Sequence, residues 1–387
     1  MIFKKKNIAI IGSTGSIGTT TLNIIKQYKK NFKIELLCCN NNYELICKQI
    51  RLFKPSNVYI NDHLVREKVK VKFKKTSCNF LSCISNQVLK KFIKKKIDKT
   101  IMAVSSIHGI NYIFNFLNFS NEILIANKES IICGGNLLIK EAKKKKCKLT
   151  SIDSEHYCIS QIIKGANMNE IDSVYLTASG GPFLNKTKKY QNYSISKVLA
   201  HPKWKMGKKI SVDSATMVNK IFEIIEAHLI FNIPLKKIKI KIHKESLVHA
   251  AIVFKSGLVK MIMHDTSMLI PIRNCLFDNK YNFQYKNYFK DNNFFNLTFD
   301  EKKLRNFKIL KIVKTILDGG HSSWILFNTI NDLLVNKFLN KKIFFFEIVE
   351  TLIKIFNKKS VKIYCKKKIK NISDIHEIII FGKSLLN

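Results

Sequence analysis

The sequence predicts an α/β protein in three parts: a parallel-sheet domain, a central α+β domain and a C-terminal helical bundle. Apolar runs alternate with helical segments in the first part, which is typical of a parallel sheet covered on both faces. After the lysine run at 143–146 the pattern changes, and the run at 236–243 alternates lysine and isoleucine, as in a sheet with one wet face. The other strands predicted there are 172–178, 246–254 and 258–264. Three or four helical segments are expected from about residue 301 onward.

The composition excludes several classes of protein. The chain has 387 residues, 46% of them hydrophobic, which is enough for a large core in two or three domains and argues against disorder. Lys and Arg number 68 against 27 Asp and Glu, but the lysines are scattered in short clusters rather than gathered in one stripe. We therefore expect a solvated charged surface and no specific nucleic-acid partner.

Cysteine spacing and apolar run length indicate the compartment. None of the ten cysteines forms a CxxC pair or a zinc-binding spacing with histidine, so free thiols in a reducing compartment are expected. The chain passes from three lysines into a short strand-like run, unlike a signal peptide, and nowhere shows about eighteen successive apolar residues. These features predict a cytoplasmic protein with no membrane span.

The first domain begins with a strand, a glycine turn and a helix. Gly12, Gly15 and Gly18 follow the apolar run 7–11 and open a helical stretch, where backbone amides suit a pyrophosphate. This favours a Rossmann-type, dinucleotide-binding domain, although many glycine turns merely connect elements. The second apolar run, 32–39, is followed by three asparagines and no carboxylate. Because an acid there would repel the 2′-phosphate of NADP, its absence favours NADP over NAD. The other strands predicted in this domain are 32–39, 57–60, 100–104 and 122–126.

A short segment with two carboxylates is a candidate metal site. Asp153 and Glu155 flank Ser154, and at the end of a strand both acids would project on the same side. Carboxylate oxygens in that arrangement suit a hard divalent cation. The alternative is an acidic loop or a helix cap.

A helix from about 215 to 231 is predicted, capped by Asp213 or Ser214. Its spacing brings together on one face the side chains of Asn219, Lys220 and Glu223. A phosphorylated substrate held by Ser214 and this face would bring Glu223 close to a metal. The alternative is an ordinary surface Lys220–Glu223 pair, which contributes about 0.5 kcal/mol or less.

Two loop segments complete the candidate features. Residues 179–183 place a hydroxyl beside two glycines whose amides suit an anion, and residues 201–207 have the composition of a mobile lid. In the lid, Trp204 and Met206 could cover an apolar ring and His201 could reach an oxyanion. Either segment could also be a plain turn.

Six motifs together resemble one family, in its order and spacing over nearly the whole chain. They are GSTGSIG (12–18), ANKES (126–130), DSEH (153–156), SGGPF (179–183), HPKWKMG (201–207) and ISVDSATMVNK (210–220). The chain is similar to the 1-deoxy-D-xylulose 5-phosphate reductoisomerases. This resemblance implies rearrangement of deoxyxylulose phosphate, a sugar phosphate, through a retro-aldol and aldol sequence and an enolate. Reduction by NADPH to 2-C-methyl-D-erythritol 4-phosphate follows, the committed step of non-mevalonate isoprenoid synthesis.

The resemblance also implies roles for individual residues. Mg²⁺ or Mn²⁺ would act as a Lewis acid held by Asp153, Glu155 and Glu223. The residues assigned to catalysis are these three with Lys128 and His201. The residues assigned to substrate binding are Lys128, Ser154, Glu155, Ser179, His201, Trp204, Ser214, Asn219, Lys220 and Glu223. Met268 is expected to cover the substrate together with Trp204. Cofactor contacts fall to Thr14, Gly15, Ser16, Ile17, Asn41, Asn127, Glu129 and Gly207.

The implied architecture is a homodimer paired through the central sheet. Its predicted parts are an NADPH-binding Rossmann-type domain at 1–150, a catalytic and dimerisation α+β domain at 151–277, a connection at 278–300 and a helical domain at 301–387.

The chain departs from the family pattern in two places. Cys39 and Asn40 stand where many members have glycine and lysine, which predicts a weaker preference for NADPH. The stretch 263–272, with His264 and Leu269, departs from the usual loop. Two rival functions are a related dehydrogenase without isomerase activity and a basic nucleic-acid-binding protein on a degenerate Rossmann scaffold.

Overall fold

The computed structural model describes residues 5–105, 107, 109–184, 193–280 and 296–386. The chain forms two compact units, one of residues 1–153 with 271–276 and one of residues 154–270 with 277–387. Most of the connection predicted at 278–300 lies outside the described residues, and the predicted three-domain boundaries stay a prediction.

A parallel sheet with helices forms the first unit, as predicted. Its strands are β1 (Lys6–Ile11), β2 (Phe32–Cys39), β3 (Asn57–Ile60), β4 (Asn79–Phe80), β5 (Ile97–Met102), β6 (Ser120–Ile125) and β7 (Lys148–Ser151). They lie in the order β4-β3-β2-β1-β5-β6-β7 and all pair in parallel. The helices are α1 (Ser16–Gln27), α2 (Tyr43–Phe53), α3 (His63–Lys72), α4 (Asn86–Phe92), α5 (Gly109–Phe116) and α6 (Lys128–Lys144).

The central strands of this sheet are buried because they carry apolar side chains on both faces. Ile8 to Ile11 are at most 1% exposed, as continuous apolar runs require in a sheet covered on both sides. The edge strands β4 and β7 were not predicted, since they are short and carry few apolar residues.

A second, mixed sheet forms the core of the second unit. Its strands are β8 (Ile171–Ala178), β9 (Ile238–Ile242), β10 (Val248–Phe254) and β11 (Val259–Met263), in the order β11-β10-β8-β9. Strands β8 and β9 pair in parallel and the other neighbours are antiparallel. The predicted alternation of β9 is confirmed, because its three isoleucines are buried and its two lysines are not.

Helices complete the second unit. Before and between the strands lie α7 (Ser154–Ile162), α8 (Ile195–Leu199), α9 (Lys208–Thr216) and α10 (Val218–Phe231). Helix α11 (Leu269–Leu276) begins in this unit, and its residues 271–276 belong to the first unit. The C-terminal helices are α12 (Val313–Asp318), α13 (Gly320–Leu339), α14 (Phe345–Asn357), α15 (Lys359–Tyr364) and α16 (Ile372–Ser384). None of the helices in the described part of the chain is long and apolar enough to cross a membrane.

The structure corrects two sequence predictions in this unit. The single helix expected from 215 to 231 is two helices, because Met217 adopts a left-handed conformation with φ of 69° between α9 and α10. Asp213 and Ser214 therefore lie inside α9 and do not cap α10. The C-terminal region has five described helices rather than three or four, because α12 and α15 are only six residues each.

Candidate active site

The glycine turn lies at the carboxyl end of β1, in the middle of the parallel sheet. Gly12 has a φ of 96°, and a Cβ there would lie 2.5 Å from the carbonyl oxygen of Ala103, so a side chain would displace the turn. Gly15 is the N-cap of α1, and the first-turn amides of a helix lack intrahelical partners. Thr14 and Ile17 are half-buried while Gly15 and Ser16 are exposed, so this end of α1 is accessible to an anion.

A buried glutamine that the sequence did not single out holds this turn in place. Gln49 on α2 accepts a hydrogen bond from the Ser13 hydroxyl at 2.8 Å and donates to the Ser13 carbonyl at 2.8 Å. Both side chains are buried. The pair could not be found from spacing because 36 residues separate its members.

The carboxyl end of β6 supplies the next group of predicted residues. Asn127 caps α6 by accepting from the amide of Ser130 at 2.9 Å, which fixes the first turn of the helix. Lys128 follows directly and is only 5% exposed, while Glu129 is half-buried. Within this unit the Lys128 ammonium lies 2.6 Å from a carboxylate oxygen of Asp153, just beyond β7.

Neutral side chains line the carboxyl end of β2. Asn40 accepts a hydrogen bond from the Asn61 amide at 3.0 Å, and Asn61 accepts one from the Tyr59 hydroxyl at 3.1 Å. Asn40 and Asn41 are exposed, whereas the thiol of Cys39 is buried. Burial, with Cys47 nearby, raises the pKa of Cys39 to about 12, so the thiol stays neutral.

One buried lysine joins two predicted acids in the second unit. The Lys220 ammonium lies 2.7 Å from Glu155, 2.5 Å from Glu223 and 2.6 Å from the carbonyl oxygen of Thr177. Lys220 is 5% exposed and Glu223 is 1% exposed, so the surface-pair alternative for these two residues is wrong. Burial alone would lower the pKa of Lys220, but the two carboxylates outweigh burial and raise it.

Neighbouring side chains fix the orientation of both carboxylates. The Ser154 hydroxyl donates to Glu155 at 2.6 Å, and the Asn219 amide donates to Glu223 at 2.6 Å. Lys220 and Glu223 are three residues apart on α10 and Asn219 and Glu223 are four apart, so one helix face carries all three.

The three predicted acids come together. Asp153 is followed directly by Ser154, so the chain itself keeps it beside the start of α7. One carboxylate oxygen from each of Asp153, Glu155 and Glu223 lies within 4.8 Å of the other two. Three carboxylates at that spacing form the donor set that a hard divalent cation requires. The ammonium groups of Lys128 and Lys220 offset two of the three negative charges, which leaves the cluster with a net charge that a cation can neutralise.

Ser179 and His201 form a hydrogen-bonded pair, and His201 in turn holds the backbone of Trp204. The amides of Lys203 and Trp204 donate to His201 Nδ1 at 3.2 and 3.0 Å, so Nε2 carries the proton and donates to the Ser179 hydroxyl at 2.9 Å. Ser179 also accepts from the Gly181 amide. Burial lowers the pKa of His201 to about 4, so the ring is neutral near pH 7.

The remaining predicted residues lie as follows. Ser214 and Asn219 are half-buried on either side of the Met217 turn, and the Met217 amide donates to the Ser214 carbonyl at 3.2 Å. Gly207 is exposed and is the N-cap of α9. Met268 is half-buried.

Two buried side chains behind the site were given no role by sequence reasoning. His156 is fully buried on α7, with Nε2 3.0 Å from the Glu223 carbonyl and Nδ1 3.6 Å from Glu226. Asn331 on α13 donates to Asp213 at 2.8 Å, while Lys209 pairs with the other oxygen of Asp213 at 2.7 Å. His156 is part of the DSEH motif at 153–156, so the sequence could have drawn attention to it. No local pattern marks Asn331, which is 118 residues from Asp213 in the chain.

A parallel sheet with a glycine turn at its carboxyl edge, together with a cluster of acids suited to a divalent cation, defines a metal-dependent dinucleotide enzyme. Family profiles give the particular family. The 1-deoxy-D-xylulose 5-phosphate reductoisomerase profile matches residues 8–135, that of its C-terminal domain matches residues 149–231, and the DXP reductoisomerase C-terminal domain profile matches residues 263–381.

Individual proteins agree with these profiles. The 1-deoxy-D-xylulose 5-phosphate reductoisomerase of Pelagibacter ubique (strain HTCC1062) is 42% identical over 96% of each chain. That of Thermoanaerobacter sp. (strain X514) is 36% identical over 90% of this chain and 91% of its own. The chain therefore belongs to the 1-deoxy-D-xylulose 5-phosphate reductoisomerase family.

Solved structures of the family share the fold. A DOX-P reductoisomerase in complex with NADPH, fosmidomycin and magnesium is 28% identical, with a TM-score of 0.88 over 98% of this chain and 96% of its own. The Zymomonas mobilis enzyme in complex with NADPH is 25% identical, with a TM-score of 0.85 over 99% of this chain and 98% of its own.

Proposed function

We propose that this chain rearranges 1-deoxy-D-xylulose 5-phosphate and reduces the product with NADPH to 2-C-methyl-D-erythritol 4-phosphate. The observation that carries the proposal is the convergence of Asp153, Glu155 and Glu223 in a member of this family. Similar proteins were crystallised with NADPH and with magnesium, which supports both cofactors for this chain.

The three acids are proposed to hold Mg²⁺ or Mn²⁺. Once bound, the cation supplies Lewis acidity to the carbonyl and hydroxyl oxygens of the substrate. Ser154 and Asn219 hold the carboxylates of Glu155 and Glu223 in fixed orientations, so less reorganisation is needed when the cation binds. With Asp153 engaged as a ligand of a bound cation, the Lys128 ammonium would be available to donate a hydrogen bond to a substrate oxygen.

The phosphate of the substrate is proposed to bind at the other end of the cluster. Ser179 and Ser214 supply hydroxyls, and Asn219 and Lys220 supply N–H donors. With Glu155 and Glu223 engaged as ligands of a bound cation, the Lys220 ammonium would be available to the phosphate. Binding energy gained there holds the reacting fragments in place through both chemical steps.

His201 and Trp204 are proposed to close over the substrate. His201 is neutral and donates from Nε2, so it can donate to a phosphate oxygen in place of Ser179. Its Nδ1 holds the backbone of 203–204, and movement of His201 therefore carries Trp204 with it. Closure would exclude water from the branched aldehyde that the rearrangement forms before NADPH reduces it, with Met268 as a further apolar cover.

The glycine turn and the ends of β2 and β6 are proposed to bind NADPH, which supplies the hydride. The amides of residues 14–17 would meet the pyrophosphate, and Asn127, Glu129 and Gly207 would complete the pocket. Asn41 would lie near the 2′-phosphate. Because Asn40 and Asn61 pair with each other as neutral amides, the preference for NADPH over NADH should be modest.

Product analysis tests the proposal most sharply against its rival. The purified chain is incubated with 1-deoxy-D-xylulose 5-phosphate, NADPH and Mg²⁺, NADPH consumption is followed by absorbance, and the product is identified by NMR. We expect a branched carbon skeleton, inhibition by fosmidomycin and loss of turnover under chelation. An unbranched reduced sugar phosphate would identify the plain dehydrogenase instead.

A homodimer paired through the second sheet is also proposed. Strand β11 is the edge of that sheet, and Val259 and Met261 on one face of it are about half exposed, next to exposed Leu258. An exposed apolar edge strand is a pairing surface. Light scattering should give twice the chain mass, and a Val259→Lys/Met261→Lys variant should be monomeric, whereas Val71→Lys on α3 should remain dimeric.

The compartment is proposed to be a reducing one, such as the cytoplasm. None of the ten cysteines is joined in a disulfide in the structure, and eight of them are buried. Thiols in such positions are compatible with a cell interior in which disulfides do not form.

A further inference from the structure

Four aromatic rings form a stack that ends at Trp204, defined here as the ring column of Tyr157, His264, His249 and Trp204. The imidazoles of His249 and His264 are stacked, with centroids 3.9 Å apart and planes 26° apart. The Trp204 indole meets His249 edge to face at 5.7 Å, and Tyr157 meets His264 at 6.4 Å. The column therefore links the end of β11 to the segment 201–207.

Hydrogen bonds fix both imidazoles of the column. His249 Nε2 donates to the carbonyl of His264 at 3.1 Å, and His264 Nδ1 donates to the carbonyl of Asp265 at 2.7 Å. Both rings are buried, at 2% and 7% exposure. Burial, with His249 alongside, lowers the pKa of His264 to about 4, so the stacked pair does not carry a charge on His264 near pH 7.

Only one of the two ring nitrogens of His264, Nδ1, has a hydrogen-bond partner among the described residues. Its Nε2 is buried and has no hydrogen-bond partner within the part of the chain that the structure describes. A phenyl ring would fill a similar volume without an unsatisfied acceptor. What the imidazole contributes to its surroundings is therefore mainly its flat ring against His249.

We propose that His264 is a positioning residue that acts through His249 to set where Trp204 and the segment 201–207 rest. The proposal rests on the proposed function, in which that segment covers the substrate. It concerns a stretch, 263–272, in which this chain departs from the family pattern. Removing the ring opens a space beside His249, and the His249 ring can tilt into that space, away from Trp204, about its hydrogen bond to the carbonyl of residue 264.

The test reads Trp204 directly. The chain has two tryptophans, so Trp324→Phe leaves Trp204 as the only tryptophan, and Trp204→Phe leaves Trp324 for a matched control, with excitation at the red edge where tyrosine does not absorb. In the first background, His264→Ala and His264→Leu are compared with His264→Phe by acrylamide quenching without substrate, after circular dichroism has verified folding. Leucine keeps most of the apolar volume but not the flat ring, so it also serves if the alanine variant does not fold.

We expect His264→Ala and His264→Leu to make Trp204 more accessible to the quencher and to raise KM for the substrate about 2- to 10-fold, the range that one aromatic contact spans, with kcat changed less. His264→Phe should leave Trp204 quenching and KM close to those of the parent with His264. Quenching of Trp324 should not change in any variant. Unchanged Trp204 quenching in a folded leucine variant would overturn the proposal, as would changed quenching with an unchanged KM.

The quenching measurement and the KM measurement test this proposal and the proposed function separately. Quenching requires no substrate and no turnover. If the chain lacked reductoisomerase activity, the link from His264 to Trp204 would still be measured, and its role in that reaction would be refuted together with the function.

Discussion

Replacing Glu223 with glutamine removes one of three clustered carboxylates with almost no change in side-chain volume. Glu223 is 1% exposed and accepts from Asn219 while pairing with Lys220. In the variant, Lys220 keeps Glu155 at 2.7 Å and the Thr177 carbonyl at 2.6 Å, so no buried charge is left unpaired. We therefore expect a folded protein, destabilised by about 1–3 kcal/mol for the imperfectly satisfied amide.

The effect on metal binding should be much larger than the effect on stability. Changes to groups that merely orient metal ligands weaken metal affinity or activity by about 10- to 100-fold, so loss of a ligand itself should weaken Mn²⁺ binding by at least about 100-fold. Loss of a few kcal/mol of charge stabilisation in the transition state corresponds to a fall in kcat of about 1000-fold.

The assay is an Mn²⁺ titration followed by electron paramagnetic resonance, with turnover measured at saturating NADPH. Glu226→Gln is the matched control, since Glu226 lies three residues further along α10, is equally buried, and is not one of the three clustered acids. The control should bind Mn²⁺ within about 3-fold of the parent, well below the 10-fold that 1.4 kcal/mol represents. Equal Mn²⁺ affinity in the Glu223→Gln variant and the parent would refute the assigned ligand set.

Three further predictions concern the turn, the C-terminal helices and acid stability. Gly12→Ala should weaken NADPH binding by about 10-fold, measured by cofactor fluorescence, because φ is positive there and the added Cβ would clash with the backbone of Ala103. The control Gly257→Ala, which also has a positive φ of 85° but open space around it, should not weaken NADPH binding. Asn331→Ala should lower the free energy of unfolding by about 1–3 kcal/mol and raise KM, because Asp213 loses its amide donor and is the neighbour of Ser214, a proposed phosphate ligand. A loss of stability without a change in KM would limit Asn331 to a structural role. Burial lowers the pKa of the His264 imidazole from 6.5 to about 4 in the folded chain. Between these two pH values the unfolded chain binds a proton that the folded chain does not, so the free energy of unfolding should fall by up to about 3 kcal/mol as the pH drops from 6.5 to 4. Urea unfolding of His264→Phe should show a smaller loss of stability with falling pH than the parent, and an identical loss would contradict this.

Periodicity predicted the elements whose apolar pattern is strong. The five buried strand runs of the first unit, the alternating β9 and the glycine turn all form, although β5 spans Ile97–Met102 and so lies two to three residues before the expected 100–104. Strands β4 and β7 were missed because strand pairing by the neighbouring backbone, rather than apolar side chains, makes them strands. The break at Met217 was missed because methionine has no preference for a positive φ, and tertiary packing imposes it.

The site shows the same division between local and distant signals. Residues in short motifs, such as Asn219 with Lys220 and Glu223, could be grouped from their helical spacing alone. Asp153 and Glu155 were grouped on the expectation that one strand end carries both, and that reason is wrong, because β7 ends at Ser151 and Glu155 lies in the first turn of α7. Contacts such as Gln49 with Ser13 or Asn331 with Asp213 join residues far apart in the chain, so they follow only from the folded structure. Burial is likewise invisible to spacing, which is why a surface alternative for Lys220 could be excluded only by its coordinates.

Anomalous diffraction from crystals grown with Mn²⁺ would locate the cation directly. A strong peak should lie at roughly 2.0–2.3 Å from one carboxylate oxygen each of Asp153, Glu155 and Glu223, with Lys128 and Lys220 turned away from it. A peak that shares no oxygen with Glu223, or one held by other residues altogether, would contradict the metal centre on which the assigned chemistry depends.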